Sequence, residues 1–295
     1  MPSNVALALD VGGTKFAAGL VTDDGDVVAK KQVPTAQTSR SDDLFATLLE
    51  LANDVLGSNT EVVVCGVGCG GPMVGSGEAV SPLNIPAWRE FPLRERLREG
   101  LGMDVHIDND AKALALGEAW FGAGRNFSNF LAMVVSTGIG GGVFVDGRLL
   151  DGGDGNAGHI GHVIVEPEGA DCACGSRGCL EAEASGPAIS RRLGADPSTA
   201  GVQERRRAGM LVGRAVASAV TLLDLEHVLI GGSVALGFGD EFFDAANMEL
   251  FERCHLDFSR GVKISPVGLG AEAPLVGAAV VGFRSLGIDA RTRSI

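Results

Sequence analysis

The chain has 295 residues and is 45% hydrophobic, enough for two domains with sizeable cores. Its formal net charge of −13 argues against nucleic-acid and anionic-membrane partners, which select basic faces. No apolar run approaches the ~20 residues of a membrane span. The start of the chain shows neither a charged leader nor a cleavage site, so a cytoplasmic location is expected.

Residues 5–9 read as an apolar strand ending at Asp10; Gly12-Gly13 turn the chain, and 16–21 continue as a second strand. Asp24-Gly25 is a hairpin signal before a third strand at 27–32. The spacing of Leu44, Phe45, Leu48, Leu51 and Val55 predicts a helix over 42–55, and the apolar run 61–67 a buried strand. A Gly/Pro-rich loop at 68–88, a short charged helix at 92–99 and a strand at 103–107 follow. Asp108-Asn109-Asp110 then opens a helix of good formers at 111–121, where an acidic start suits capping and the helix dipole.

The pattern restarts at 130. Residues 130–135 read as a strand, 136–142 as a glycine turn and 143–145 as a strand before the turn Asp146-Gly147. DVGGTKFAAGLV (10–21) and VVSTGIGGGVFV (134–145) share the order strand, glycine turn, strand, which predicts a duplicated unit with one copy per domain. Helices are predicted at 186–193, 204–223, 240–253 and 275–286, and strands at 227–230 and 263–267. Strands alternating with helices give an α/β class.

A tight turn with free N–H groups between strands is an anion cradle. Asp10 at the end of the first strand can hold a metal-bound water, because Mg²⁺ favours carboxylate, water and phosphate oxygens. Gly12, Gly13, Thr14 and Lys15 can address phosphate, as can Thr137 with Gly138 and the glycines at 140–142. There is no Walker loop, but the two matched turns, with Gly231-Gly232-Ser233 after a third buried strand, together point to nucleotide binding. Asp110 is the candidate general base, since phosphoryl transfer to an alcohol needs a carboxylate in reach of the hydroxyl. Its plainer reading is a helix cap, and that of Asn109 a turn residue.

Residues 158–181 (GHIGHVIVEPEGADCACGSRGCLE) bring together His162, Cys172, Cys174 and Cys179, with Glu181 two residues beyond the last cysteine. Three thiolates and one imidazole form a closed structural site for tetrahedral Zn²⁺. Plain buried thiols, or a disulfide with one thiol left over, are the alternatives; a single residue between Cys172 and Cys174 suits a disulfide poorly, and a chain without a secretion signal is expected to stay reduced. Cys65, Cys69 and Cys254 read as packing residues.

These motifs together resemble the ROK family of sugar kinases, over essentially the whole chain. DVGGTK matches the first phosphate loop, STGIGGG the second and IGGS the adenosine loop. IDNDAKALALGEAWFGAG matches the catalytic and first hinge segment, AEAPLVGAAVVG the second hinge, and CACGSRGCLEAEASG the zinc signature. The resemblance implies an α/β, two-domain actin-like ATPase (ribonuclease H-like) fold with an interdomain cleft. The small domain would be 1–108 plus 274–295 and the large one 109–273. It implies ATP with Mg²⁺, a structural Zn²⁺, domain closure on sugar binding and a homodimer. On the same ground Asp110 takes the proton of the sugar 6-hydroxyl; Asn109, Glu181 and His162 hold sugar hydroxyls; Gly71 approaches the sugar by its backbone; and Asn84 in SPLNIPAW is a further contact.

One position departs from the family's glucokinases, which carry Glu before IGH where this chain has His159. Neutral His donates one hydrogen bond and accepts one, where Glu accepts two. His here resembles the N-acetylmannosamine kinases of the family, so that sugar is favoured over glucose as acceptor. His106, His227 and His255 are assigned no role. The rivals from other classes are a sugar-responsive repressor, which needs an N-terminal DNA-binding segment that a first strand beginning at residue 5 leaves no room for, and a sugar sensor without catalysis.

Overall fold

The computed structural model describes residues 4–36, 40–58 and 61–289. In chain order the first elements are β1 (Val5–Val11), β2 (Lys15–Thr22), β3 (Val27–Pro34), α1 (Ser41–Leu56), β4 (Val62–Cys69), β5 (Met73–Val74), β6 (Ala79–Val80), α2 (Leu93–Leu101), β7 (Val105–Asn109) and α3 (Asp110–Phe121). Next come β8 (Phe130–Val135), β9 (Ile139–Val145), β10 (Arg148–Leu149), α4 (Leu180–Ala184), α5 (Gly186–Leu193) and α6 (Val202–Leu223). The last are β11 (His227–Gly231), α7 (Ser233–Phe238), α8 (Asp240–Arg253), β12 (Ile264–Pro266) and α9 (Ala273–Ser285).

The chain divides into two compact units, 1–125 with 151–157 and 268–295, and 126–150 with 158–267. The first unit therefore runs past the expected boundary at 108 and takes in α3, as well as a short stretch inserted between β10 and His159. The reason is packing. A Cβ on Gly277 of α9 would lie 2.2 Å from the Ala113 carbonyl oxygen, so α3 and α9 meet backbone to backbone. Ten of the twelve α3 residues are buried, as befits a helix covered on all sides.

In the first unit the sheet order is β3-β2-β1-β4-β7, with β1–β2 and β2–β3 antiparallel and β1–β4 and β4–β7 parallel. β1 is apolar from Val5 to Leu9, before Asp10, and α1 and α9 both pack on it. A Cβ on Gly66 would fall 1.9 Å from the Ala278 carbonyl oxygen, so that glycine lets α9 lie directly on β4. Trp88 stacks on Phe91 at 4.6 Å and fills the core toward α1.

In the second unit the order is β10-β9-β8-β11-β12, with the same sequence of antiparallel and then parallel pairings. The two sheets thus repeat one topology, as the paired strand–turn–strand segments predict. Gly209 and Gly213, one helical turn apart on α6, admit the backbone of α8: added Cβ atoms would meet the Phe242 and Ala246 carbonyls at 2.2 and 2.4 Å. The glycine turn expected over 136–142 is shorter than its composition suggests, since β9 begins at Ile139 and the glycines that follow pair with β8. Gly141, paired with Met133 of β8, also donates its N–H to the Gly158 carbonyl at 2.8 Å.

Candidate active site and metal centre

In the first unit the parallel strands β1, β4 and β7 bring their C-terminal ends to one edge, pairing Asp10 with Gly68, Val11 with Cys69 and Cys69 with Asn109. Asp110 follows as the first residue of α3. The Asn109 side chain caps that helix by accepting the Ala111 N–H at 3.0 Å, and Asp110 Oδ1 accepts the same N–H at 2.8 Å. Both residues therefore do what their plainer reading requires, at an edge where a ligand can also reach them. Burial pushes the Asp10 carboxyl up to about 7; the nearby Asp110 charge adds to the rise and Lys15 opposes it. Two carboxylates confined together are what a divalent cation relieves.

The first glycine turn is held from behind. The Thr35 hydroxyl donates to the Gly12 carbonyl at 2.8 Å and its N–H donates to the Thr14 carbonyl at 2.9 Å. Thr35 lies in no motif and sequence reading passes over it. Gly13 must be small: a Cβ there would meet the Asn84 Cβ at 2.6 Å. Asn84 thus sits against the turn, and Gly71 joins it, its carbonyl accepting the Leu83 N–H at 3.3 Å. The Lys15 ammonium donates to the Gln32 side chain at 3.3 Å.

Behind the edge, Lys112 of α3 is almost fully buried yet donates to Asp108 at 2.9 Å, Asp151 at 2.8 Å and the Gly155 carbonyl at 3.2 Å. Asn156 completes the anchoring of 151–157 by bonding both the N–H and the carbonyl of Met73, at 3.1 and 3.0 Å. A lysine among the mostly apolar residues of α3 is the sequence signal that points to such a partner set.

In the second unit the turn carrying Thr137 and Gly138 lies beside Gly231 and Gly232. The Ser136 and Ser233 hydroxyls share a hydrogen bond of 2.9 Å, and a Cβ on Gly232, whose φ is +96°, would fall 2.4 Å from the Val135 carbonyl oxygen. The second phosphate loop and the adenosine loop expected from sequence are therefore adjacent in this unit.

His159 and His162 flank a single helical turn at Ile160–His162, their rings 5.9 Å apart. His159 is half-buried, and burial with the neighbouring His162 lowers its pKa, so it is neutral at pH 7. Glu181, in the first turn of α4, accepts the Ile139 N–H at 2.8 Å. The ligand atoms of His162, Cys172, Cys174 and Cys179 all lie within 4.8 Å of one another. His162 Nδ1 is 3.7 Å from Cys172 Sγ, and Cys174 Sγ is 3.8 Å from Cys179 Sγ. The edge of a tetrahedron around Zn²⁺ with Zn–S of about 2.3 Å is roughly 3.8 Å, so the donor set fits that ion. Gly178, with φ of +71°, permits the turn, since its Cβ would collide with the Glu166 carbonyl at 1.7 Å. Glu183 braces the loop, accepting the Ala170 N–H and the Arg207 guanidinium, each at 2.6 Å.

The ROK family model matches residues 6–282. The chain is 33% identical to the glucokinase of Thermotoga maritima, over 95% of this chain and 98% of that one. It is 32% identical to an N-acetylmannosamine kinase of Haemophilus influenzae, over 92% and 93%. A ROK glucokinase from Streptomyces griseus, solved with glucose and AMPPNP, superposes with a TM-score of 0.86 at 27% identity, covering 95% of this chain and all of that one. The chain belongs to the ROK family and has its α/β, actin-like ATPase fold.

Proposed function

We propose that the chain is an ATP-dependent sugar kinase that phosphorylates the 6-hydroxyl of a hexose or N-acetylhexosamine, with N-acetylmannosamine favoured over glucose. The observation that carries this reading is the pair Asp10 and Asp110 at one sheet edge, beside a glycine turn braced by Thr35. Asp110 accepts the proton of the 6-hydroxyl while that oxygen bonds to the γ-phosphorus. The bond from the γ-phosphorus to the β-phosphate oxygen breaks, and ADP leaves. Asp10, Gly12, Gly13, Thr14 and Lys15 of the first unit and Thr137, Gly138, Gly231 and Gly232 of the second hold the nucleotide. Mg²⁺, bound with ATP, neutralises charge on the phosphate oxygens. Gly71, Asn84, Asn109, His159, His162 and Glu181 orient the sugar, and positioning accounts for most of the rate.

Zn²⁺ at His162, Cys172, Cys174 and Cys179 is part of the same reading and has a structural role, since four protein ligands leave no open position. His159 supports the N-acyl acceptor: a neutral ring offers one donor, one acceptor and a flat face to an acyl group. Glucose is the alternative acceptor. We place the enzyme in the cytoplasm as a homodimer without nucleic-acid partners; among the described residues no helix is long and apolar enough to cross a membrane. The test is ATP turnover with a panel of hexoses and N-acetylhexosamines. Absence of turnover on every sugar, in zinc-replete protein, refutes the kinase and leaves a non-catalytic sugar sensor.

A further inference from the structure

Glu118 has no part in the chemistry above, yet it is a fully buried acid in the middle of α3. Its Oε2 accepts the Ala123 N–H at 2.8 Å and the Gly268 N–H at 2.9 Å, and its Oε1 accepts the Leu269 N–H at 2.9 Å. These donors are not scattered. The chain first leaves this unit after Arg125, revisits it over 151–157 and returns for the last time at Gly268, so one carboxylate is bonded to the backbone beside two of the four crossings.

Two glycines exist for this arrangement. A Cβ on Gly122 would lie 2.2 Å from Glu118 Oε2, and one on Gly268 would lie 2.6 Å from the Ala123 N and 3.3 Å from Glu118 Oε2. Gly122 has φ of −104°, which any residue adopts, so its smallness serves space rather than conformation. The helices attached to the crossings are α3 and α9, and they are already in backbone contact, a Cβ on Gly117 falling 3.0 Å from the Gly277 N. These two crossings therefore adjoin one closely packed pair of helices.

We propose that Glu118 is a positioning residue for phosphoryl transfer. It ties the first outgoing and the last returning crossing to α3, so that the helix that begins at Asp110 is fixed at its far end. The proposal rests on the kinase reading. Ground-state binding tolerates a loose anchor, because each ligand contact can adjust. Alignment of the reacting atoms does not, since small misplacements of the donor and acceptor cost rate steeply.

The experiment is steady-state kinetics of Glu118→Gln, Gly122→Ala and Gly268→Ala beside the wild type, with hydrogen exchange of the amides of Ala123, Gly268 and Leu269. In Glu118→Gln the side-chain amide still accepts through its oxygen but turns an NH₂ toward at least one backbone N–H, while the two alanines dislodge the carboxylate without altering it. Expected are faster exchange at those amides and a kcat lowered roughly tenfold or more, with KM for sugar and ATP within about threefold of wild type. A Leu250→Ala variant, in the core of the second unit, supplies a matched loss of stability and is expected to keep kcat. Unchanged kcat with faster exchange, or KM rising in step with the fall in kcat, overturns the positioning role. Should Glu118→Gln fail to fold, Gly268→Ala decides, because it moves one crossing and spares the acid. A wild type without turnover refutes the kinase reading instead, which keeps the two failures apart.

Discussion

Glu181 Oε2 accepts the backbone N–H of Ile139 at 2.8 Å, joining the first turn after the cysteine loop to the first residue of β9. Thr137 and Gly138 precede that residue directly. One carboxylate oxygen is thus committed to the second glycine turn, and the other is left for a sugar hydroxyl on the proposed reading. Glu181→Gln can keep the Ile139 bond through its amide oxygen but loses the charge. It is expected to raise the sugar KM about 10- to 100-fold and to leave the ATP KM within about threefold. Glu181→Ala, which frees the Ile139 N–H, is expected to raise both. Equal ATP KM values in the two variants would show that the bond to Ile139 does not support the nucleotide side.

The metal is expected to act along the same segment. Elemental analysis of the purified protein should find about one zinc per chain, as a site of four protein ligands predicts. Removing it with a chelator leaves the 156–181 segment without its tie between His162 and the three cysteines, and that segment carries His159 and ends at Glu181. Sugar affinity should fall more than ATP affinity, measured by calorimetry on verified metal-free protein. Unchanged sugar affinity in that protein would refute the support role.

Asp110→Asn removes the proton acceptor and little else. Asn retains an oxygen to accept the Ala111 N–H that Asp110 accepts at 2.8 Å, so α3 should still begin at the same place. Turnover is expected to fall by about three orders of magnitude or more, with sugar binding by calorimetry nearly unchanged. Turnover near the wild-type level would remove Asp110 from the base role.

The parts of this molecule that are legible in its sequence are the local ones. The two strand–turn–strand segments announce themselves by apolar runs broken at glycines, and the sheets they found have one topology. The four metal-ligand candidates lie within one short loop, so spacing alone brings them together. What is not legible depends on contacts between distant segments. Thr35 braces a turn more than twenty residues before it, Glu118 reaches residues 268 and 269, and Glu181 reaches Ile139. The domain boundary implied by the resemblance falls at 108, ahead of α3 rather than after it. The all-round apolar composition of α3 after its first residue, interrupted only by Lys112 and Glu118, is the better sign, since it marks a helix enclosed within a unit.

Asp10 gives a pH dependence with a definite sign. Its carboxyl is raised from 3.8 to about 7 in the free protein, chiefly by burial and then by Asp110. An acid so raised favours the folded state in its protonated form. The contribution is complete below about pH 4, where the unfolded chain also holds the proton, and is lost as pH rises through about 7. Relative to Asp10→Asn, which stays neutral, the ligand-free wild type should lose ~1–2 kcal/mol between about pH 4 and pH 8, a figure reduced for the partial exposure of the side chain. Urea unfolding of both proteins across that range measures it, and parallel stability curves would contradict it. Asp10→Asn should at the same time bind Mg²⁺–ATP more weakly, because the neutral amide cannot hold the cation's water as a carboxylate does.

His159 carries the choice of sugar. Its ring is half-buried, 5.9 Å from the His162 ring, and burial keeps it neutral at pH 7. A neutral ring can donate to an acyl oxygen, whereas a carboxylate at the same place would face that oxygen with acceptors alone. His159→Glu restores the two acceptors that suit a pair of adjacent hydroxyls and adds a charge that an acyl group cannot satisfy. The ratio of kcat/KM for glucose to that for N-acetylmannosamine should rise roughly tenfold or more, since leaving buried polar groups unpaired against the wrong substrate is how such sites discriminate. Both halves of the ratio matter: a gain on glucose alone points to new hydroxyl bonds, and a loss on N-acetylmannosamine alone points to exclusion of the acyl group. A ratio that does not move, in a variant that still turns over, means that the C2 substituent is read by another residue.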